Sequence, residues 1–262
     1  MNFPHYKQEV LALTMRWGRR LSREKFSMLF TLVQPMLFWL IFFGSLFQQA
    51  AKMPLLENAP NYMSFLAGGV VVMTVLNNGL AGGVDLLFDK ENGFLERMMS
   101  TPIHRTSVIL SRYLFVMAIT SMQILVILGI AFLFGVEPVT KLPGIALILV
   151  IGMLFGIGLT AISMAMAFSV KSHGDFFSML GFLSLPMIFI SSALVPLSAM
   201  PGWMQALAFL NPMTWVIDAV RPLIITGWEA AIPQVALALI ILVIFDAICL
   251  YGGAKAFRRA IG

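Results

Sequence analysis

The segment FDKENGFLERMMSTPIHRT, residues 88–106, is a charged island in an otherwise apolar sequence. Apolar runs long enough to cross a bilayer lie on both sides of it. Within the island, the apolar residues Phe94, Leu95, Met98 and Met99 recur at helical spacing, which predicts a short amphipathic helix. Pro102 should end this helix, because proline disfavours helical backbone in the residue before it. A short helix between two membrane spans cannot itself cross the bilayer, so we predict that this one docks a soluble partner in the cytosol.

The composition of the chain predicts an all-α polytopic membrane protein. Of its 262 residues, 60% are hydrophobic and 11% are charged, whereas soluble domains carry about 25% charged residues. Repeated apolar runs of about 20 residues are the length that a transmembrane helix needs. The net charge of +5 comes from basic residues in short loops beside these runs, a pattern that reflects membrane topology and argues against nucleic-acid binding. The single cysteine, Cys249, excludes an intramolecular disulfide and a cysteine-based metal site.

The order of apolar and basic segments predicts six spans in one membrane domain, residues 1–262, with both termini in the cytosol. This topology places every Lys and Arg except Lys52, Lys141 and Arg221 on the cytosolic side, as the positive-inside rule requires. Residues 4–25 are predicted to form an amphipathic helix at the cytosolic membrane surface, its basic side chains drawn to anionic lipid. The predicted spans are residues 28–47, 62–87, 108–134, 144–170, 176–195 and 233–251.

Residues 196–232, between the fifth and sixth spans, form a second informative region, which we predict to be an outer re-entrant segment. It contains two apolar pieces, residues 203–210 and 213–225, separated by Asn211 and Pro212. The first piece is too short to cross a bilayer, and treating the second as a seventh span would place the basic C-terminal tail outside. Asp218 and Arg221 are three residues apart in the second piece, so they can pair on one helix face.

A few polar residues lie inside the predicted spans, and their roles remain open at this stage. Asn77 and Asn78 either hydrogen-bond to neighbouring helices or line a transport pathway. Asp246 is a candidate for a role in transport because acidic residues inside membranes are rarely without function. The three histidines, His5, His104 and His173, are expected to be solvated loop residues. The glycines Gly68, Gly69, Gly79, Gly82 and Gly83 in the second span are expected to permit close helix packing.

The sequence lacks the motifs of an enzyme that could drive transport by itself. It contains no Gly-x-x-x-x-Gly-Lys-Ser/Thr phosphate-binding loop, no His-Glu-x-x-His zinc motif and no Gly-x-Ser-x-Gly nucleophile motif. We therefore expect neither a catalytic residue nor a metal or other cofactor bound by this chain. A transporter of this kind needs an external source of energy, and the predicted docking helix offers a point of attachment for it.

Two sequence signatures resemble those of the ABC-2 type exporter permeases, in particular the daunorubicin-resistance and nodulation-export branch. DKENGFLERMMSTP, residues 89–102, is similar to the family's coupling segment, in which an acidic residue, Gly-Leu-Glu and a following proline recur. SSALVPLSAMPGWMQALAFLNPMTWVIDAVR, residues 191–221, resembles the family's outer segment, with Pro, Trp, Asn-Pro and a terminal Arg in the same order. The six-span layout and the N-terminal amphipathic helix also agree, so the resemblance covers essentially the whole chain.

The resemblance implies a half-transporter in the plasma membrane (the inner membrane of a bacterium). Two copies of the chain, expected to be a homodimer, would work with two copies of a separate cytosolic ATP-binding subunit that holds ATP and Mg²⁺. The expected cargo is an amphipathic or lipid-like compound such as a drug, polyketide or glycolipid. The alternatives are a lipid-linked polysaccharide, which the 22 Phe, 19 Met and only four Tyr of the chain disfavour, and an ATP-independent carrier or channel.

The resemblance also implies roles for three groups of residues. The residues expected to couple the chain to the ATPase are Asp89, Lys90, Glu91, Gly93, Phe94, Leu95, Glu96, Met98, Met99 and Pro102. Those expected to form an outer gate are Pro196, Pro201, Trp203, Asn211, Pro212, Asp218 and Arg221. The expected cargo pathway between two copies of the chain includes Met73, Asn77, Asn78 and Phe189.

Overall fold

A computed structural model describes residues 3–46, 62–170 and 172–261, and throughout these residues the regular structure is helical. The predicted all-α fold is therefore confirmed. The polar segment 48–61, expected to be a short loop, lies outside the described residues. The helices are α1 (Phe3–Arg23), α2 (Lys25–Gln34), α3 (Gly44–Leu46), α4 (Tyr62–Ala81), α5 (Val84–Glu91), α6 (Phe94–Met99), α7 (Arg105–Leu133), α8 (Lys141–Ser169), α9 (His173–Phe189), α10 (Gly202–Leu210), α11 (Pro212–Ile225) and α12 (Trp228–Ile261).

Among the described residues, four helical stretches are long and apolar enough to cross a membrane: Tyr62–Glu91, Thr106–Leu133, Lys141–Ser169 and Trp228–Phe257. They contain the second, third, fourth and sixth predicted spans. The sixth extends well beyond its predicted end at residue 251, because the helix continues through the basic tail.

The other two predicted spans, 28–47 and 176–195, are less regular than expected. In the first, α-helical hydrogen bonding ends at Gln34, and a π-helical stretch, Pro35–Phe43, continues the chain into α3. Proline lacks the N–H that an α-helix needs at that point. In the other, the helix ends at Phe189, so the expected helical structure of residues 190–195 is wrong. Residues 190–195 turn instead towards α11.

The centre of the bundle is α4, which is buried on all sides, as expected of a helix that is apolar all round. Seventeen of its twenty residues are buried, and it packs against α7, α8 and α11. The close packing expected of the glycines is confirmed where α4 meets α5. A Cβ atom at Gly83 would lie 2.4 Å from the carbonyl oxygen of Ser163 in α8. The backbone N–H of Gly83 also donates to the Ser163 hydroxyl at 2.8 Å.

The bundle has two structurally different ends. The loop end contains α1, α5, α6, the start of α7, the end of α8 and the start of α9. The far end contains the residues that follow α9 together with α10, α11 and the start of α12. The second apolar piece of the predicted re-entrant segment forms α11. It packs against α4, α8 and α12, with Val216, Ile217 and Ala219 fully buried.

Candidate functional site

The charged island forms an elbow between α5 and α6. Gly93 has a φ angle of 65°, in the left-handed region that glycine adopts without a steric penalty. The helix α6 begins directly after it and ends at Met99, and Pro102 follows on the surface. The predicted short helix that ends before Pro102 is therefore confirmed.

The two faces of α6 differ in burial. Leu95 and Met98 are each 7% exposed and pack in an apolar cluster with Trp17 of α1, Leu86 of α5 and Val108 of α7. The opposite face exposes Phe94, Glu96 and Arg97. Arg97 bonds to backbone oxygens of its own elbow, those of Asn92 and Gly93. The arrangement presents an aromatic ring and both signs of charge on a helix that is fixed from behind.

Two side chains of the predicted coupling set, Asp89 and Lys90, point into the protein. The guanidinium group of Arg16 in α1 contacts both carboxylate oxygens of Asp89, at 2.9 and 2.8 Å, and lies 4.1 Å from the centre of the Phe94 ring. Asp89 is 5% exposed as a result. Lys90 bonds to backbone carbonyl oxygens at the end of α8. These two residues hold the elbow in place, and of the predicted set the most exposed are Glu91, Phe94, Glu96 and Pro102.

A second ion pair lies below the elbow and involves Arg112 of α7, which sequence reasoning did not include in the site. Its Nη1 atom lies 2.7 Å from a carboxylate oxygen of Asp85, and its Nε–H donates to the carbonyl oxygen of Gly82 at 2.6 Å. The guanidinium also lies 5.0 Å from the Trp17 ring. Arg112 is 4% exposed, so it joins α4, α5 and α7 in the interior.

The sequence contains a signal for this network that was missed. Asp85 and Asp89 are four residues apart on α5, and Arg16 and Arg20 are four residues apart on α1, so each pair lies on one helix face. In the structure Arg20 lies 3.6 Å from Asp85 and 3.9 Å from Asp89. The amphipathic helix was predicted correctly, but two of its basic residues bind protein carboxylates, and its apolar residues Val10 and Trp17 are buried against the bundle.

At the start of α1, Glu9 contacts the first turn of α7. Its Oε2 atom accepts hydrogen bonds from the Ser107 hydroxyl at 2.8 Å and from the backbone N–H of His104 at 3.2 Å. The bond from Ser107 is the main cause that lowers the pKa of Glu9 below 4.5. The carboxylate thus supplies the negative charge and the acceptor that the N-terminus of a helix favours.

At the far end, the structure brings together Asp218 and Arg221, the charged residues of the predicted outer gate, around Ser192. The Ser192 hydroxyl donates to Asp218 at 2.9 Å, and the Arg221 guanidinium donates to the Ser192 carbonyl oxygen at 2.6 Å. Arg221 also lies 3.7 Å from the centre of the Phe65 ring in α4. Ser192, Asp218 and Arg221 line a cleft of about 310 Å³.

The other predicted gate residues lie between Ser192 and Asp218 in the chain. Asn211 begins α11, with its side-chain oxygen accepting from the backbone N–H of Met213 at 3.0 Å. Trp203 is 66% exposed on α10, as expected of a tryptophan at membrane headgroup level. Pro196 precedes a short 3₁₀ turn, Pro201 precedes α10, and Pro212 is the first residue of α11.

The predicted pathway residues do not share one surface of the chain. The Asn78 amide contacts Thr120 at 3.2 Å and the side chain of Gln123, both on α7. Asn78 therefore hydrogen-bonds to a neighbouring helix. Met73 is buried in the core at 1% exposed. Asn77 is exposed on α4, and Phe189 is 57% exposed on α9.

Two further polar residues inside the fold are more enclosed than their sequence positions suggest. Asp246 is 7% exposed and lies against Gly158, where an added Cβ would be 2.5 Å from its Oδ1 atom. His173 was expected to be a solvated loop residue, and that expectation is wrong. Its ring lies 4.2 Å from the Phe88 ring, and its Nδ1 atom contacts Glu91.

Comparison with known proteins places this architecture in one family. Residues 8–225 match the family described as "ABC-2 type transporter". The "putative transport permease ycf38" of Porphyra purpurea is 33% identical over 215 residues, which cover 82% of this chain and 73% of the relative. The permease of the same description from Cyanophora paradoxa is 35% identical over 219 residues, with the same coverage.

Relatives named for drug resistance are more distant. The "daunorubicin resistance ABC transporter permease protein DrrB1" of Streptomyces coeruleorubidus is 26% identical over 224 residues, covering 80% of this chain and 74% of the relative. The "probable doxorubicin resistance ABC transporter permease protein DrrC" of Mycobacterium tuberculosis is 28% identical over 160 residues, covering 58% and 56%. The resemblance seen in the coupling and outer segments is confirmed, and the chain belongs to the family of ABC-2 type transporter permeases.

Proposed function

We propose that the chain is the membrane subunit of an ATP-driven exporter and that the exposed face of α6 receives a separate ATP-binding subunit. The observation that carries this proposal is the contrast between the two faces of α6. Leu95 and Met98 fix the helix to the bundle, while Phe94, Glu96 and Arg97 remain exposed. A helix fixed in this way can pass a push from a soluble partner to the helices behind it.

In the proposed topology, the chain lies in the plasma membrane and its loop end faces the cytosol. Two shorter apolar elements complete six spans: the stretch from α2 to α3, and α9. The 17 residues of α9 measure about 26 Å at 1.5 Å per residue, slightly less than the roughly 30 Å of a bilayer's apolar core. With both termini inside, the basic residues of α1 and of the end of α12 face the cytosol.

In the proposed transporter, two copies of this chain form a homodimer with two ATP-binding subunits. Relatives named for doxorubicin and daunorubicin resistance support an amphipathic, largely apolar cargo. The exposed α4 residue Asn77 and the exposed α9 residue Phe189 are candidates for the pathway between the two copies. ATP and Mg²⁺ would bind to the partner subunits.

A charge reversal at Glu96 tests the docking role. Glu96→Lys should leave insertion and folding unchanged, because this side chain is exposed on α6. It should reduce copurification of the ATP-binding subunit from detergent-solubilised native membrane and uncouple the remaining ATP hydrolysis from transport. The matched control is Glu137→Lys, which makes the same charge change at an exposed residue of the far end.

The result that would overturn the proposal is Glu96→Lys protein that copurifies with the ATPase and transports like the parent. Recovery of the parent chain without any ATP-binding subunit would also count against it and would favour an ATP-independent carrier or channel.

A further inference from the structure

Helix α9 has few fully buried side chains, and polar contacts hold both of its ends. Of its 17 residues, only Phe176 and Ile188 are buried. Leu180, Leu183 and Met187 pack partly against the core, whereas the opposite side of the helix is open, with Phe182 83% exposed. A helix with so little buried surface depends on its terminal contacts for its position.

At the loop end, Lys90 of α5 fixes the chain that leads into α9. Its ammonium group lies 3.1 Å from the carbonyl oxygens of Phe168 and Val170 and 3.4 Å from that of Ala167. These are C-terminal carbonyls of α8, which have no partner within the helix and which a positive charge stabilises. Since α9 begins only three residues after Val170, Lys90 also positions its start.

The next residue of α5, Glu91, contacts α9 directly. Its carboxylate pairs with Nδ1 of His173, the first residue of α9, and the Phe88 ring lies 4.2 Å from the imidazole. Lys90 and Glu91 lie in the last turn of α5, immediately before the Gly93 elbow. The end of α5 that would move with α6 is therefore bonded to both sides of the connection between α8 and α9.

At the far end, Asn211 holds the other terminus of α9. Its side-chain N–H₂ group donates to the carbonyl oxygens of Met187 at 2.8 Å and Ile190 at 2.6 Å. The same side chain caps α11 through the backbone N–H of Met213, and Asn211 is 9% exposed. One buried amide thus joins the end of α9 to the start of α11.

We propose that α9 is the mechanical link between the coupling elbow and the far end, with Glu91, His173 and Asn211 as positioning residues. A displacement of α6 moves the end of α5, which shifts the first turn of α9 through Glu91 and His173. Because only two of its residues are fully buried, α9 can shift as a rigid helix along the core and move Asn211 and the start of α11. Rigid helices joined by hydrogen bonds are one of the physical routes by which distant sites are coupled. This inference rests on the proposed docking of an ATP-binding subunit at α6.

The test places a single cysteine at the far end of α9. Phe189→Cys in a Cys249→Ser background introduces a reporter at an exposed position, and the rate of its reaction with a maleimide probe is measured in the complex with the ATP-binding subunit. In the parent reporter protein, ATP with orthovanadate should change this rate. Glu91→Gln and His173→Leu should each reduce that nucleotide response about two- to tenfold while ATP hydrolysis continues.

Two further variants separate transmission from a general structural role. Asp175→Asn removes a charge from the same turn of α9, where Asp175 bonds only locally to Ser172, and it should preserve the nucleotide response. The double variant Glu91→Lys with His173→Glu restores an ion pair with the charges exchanged and should recover part of the response lost in the single variants.

The possible outcomes separate this inference from the proposed function. A nucleotide response that survives unchanged in both Glu91→Gln and His173→Leu would overturn the link through α9 and leave the docking role of α6 intact. Loss of ATP hydrolysis in parallel with the response would show that the pair only stabilises the complex, which would also overturn the link. Absence of any nucleotide response in the parent reporter complex would overturn the link through α9 alone, whereas failure to recover an ATP-binding subunit with the chain would reject the proposed function and this inference together.

Discussion

Both ends of the bundle bury an arginine against an aromatic ring, with a carboxylate beside the one and a backbone carbonyl beside the other. At the loop end, Arg112 is 4% exposed and lies 2.7 Å from the Asp85 carboxylate. At the far end, Arg221 is 6% exposed, stacks on Phe65 and donates to a backbone carbonyl, that of Ser192.

The two ends are therefore held in position by different kinds of contact. Ion pairs at the loop end join α1, α5 and α7, and these paired charges hold the elbow and α6 in position. At the far end, Asn211 donates to the carbonyl oxygens of Met187 and Ile190 at the end of α9, and Arg221 donates to that of Ser192 just after it. Loss of Arg112 deprives the Asp85 carboxylate of its close cation, whereas the Ser192 carbonyl beside Arg221 carries no charge. We therefore expect the loop end to be the less tolerant of the two.

The largest expected effect follows removal of the arginine at the loop end. Arg112→Ala leaves Asp85 without its close partner and the Gly82 carbonyl without its donor. Breaking a buried pair costs 3–5 kcal/mol, and because the Asp85 side chain is 27% exposed, we expect the low end, about 3 kcal/mol. Thermal unfolding of the purified protein in detergent, followed by size-exclusion chromatography, measures the loss.

The control for this change is Arg97→Ala, which removes an exposed arginine bonded only to backbone oxygens of the elbow. It should alter the free energy of unfolding by less than about 0.5 kcal/mol. Equal losses in the two variants would show that the burial of Arg112 has no energetic importance.

An intermediate effect is expected at the far end. Arg221→Ala removes the charged donor to the Ser192 carbonyl and the contact with Phe65, and hydrogen bonds to charged groups contribute about 1.5–3 kcal/mol. We expect a loss of about 2 kcal/mol, measured by the same thermal assay as for Arg112→Ala. A loss larger than that of Arg112→Ala would reverse the comparison of the two ends.

The sequence predicted the architecture of the site better than the direction of its side chains. Helical spacing and Pro102 determine α6 locally, so its position and length could be read from residues 94–102 alone. Asp89 and Lys90 were assigned to the docking surface, yet both point inward because their partners come from α1 and from the end of α8. Such partners depend on tertiary packing, and only the four-residue spacing of the two acids and two arginines hinted at one of them.

The positions of the helix ends also depend partly on local sequence and partly on tertiary contacts. Hydropathy predicted apolar spans where the structure has its four long apolar helical stretches. It could not locate the end of α9 at Phe189, because residues 190–195 are as apolar as a helix interior. At that end, the carbonyl oxygen of Ile190 accepts a hydrogen bond from the side chain of Asn211, more than twenty residues later in the chain.

The smallest expected effect concerns Glu9, a loop-end contact in which the acceptor is charged and both donors are neutral. Because the pKa of Glu9 is lowered in the folded protein, its ionised form stabilises the contact between α1 and α7 at pH 7. This contribution is present above the pKa of the unfolded chain and is lost as the pH falls through the lower pKa of the folded state. The difference in thermal midpoint between the parent and Glu9→Gln should therefore be full at pH 7 and disappear as the pH falls through the lowered pKa of Glu9.

Glu24→Gln provides the matched control, since Glu24 follows the same helix and is exposed, with a contact of 3.6 Å to Arg20. Exposed pairs of this kind contribute little, so the midpoint of Glu24→Gln should stay close to that of the parent across the same pH range. A midpoint difference for Glu9→Gln that persists unchanged in acid would mean that the two hydrogen bonds act through shape alone. The charge dependence of the loop end would then come only from the ion pairs of Arg16, Arg20 and Arg112. The two ends would differ less in charge dependence than the geometry of Glu9 indicates.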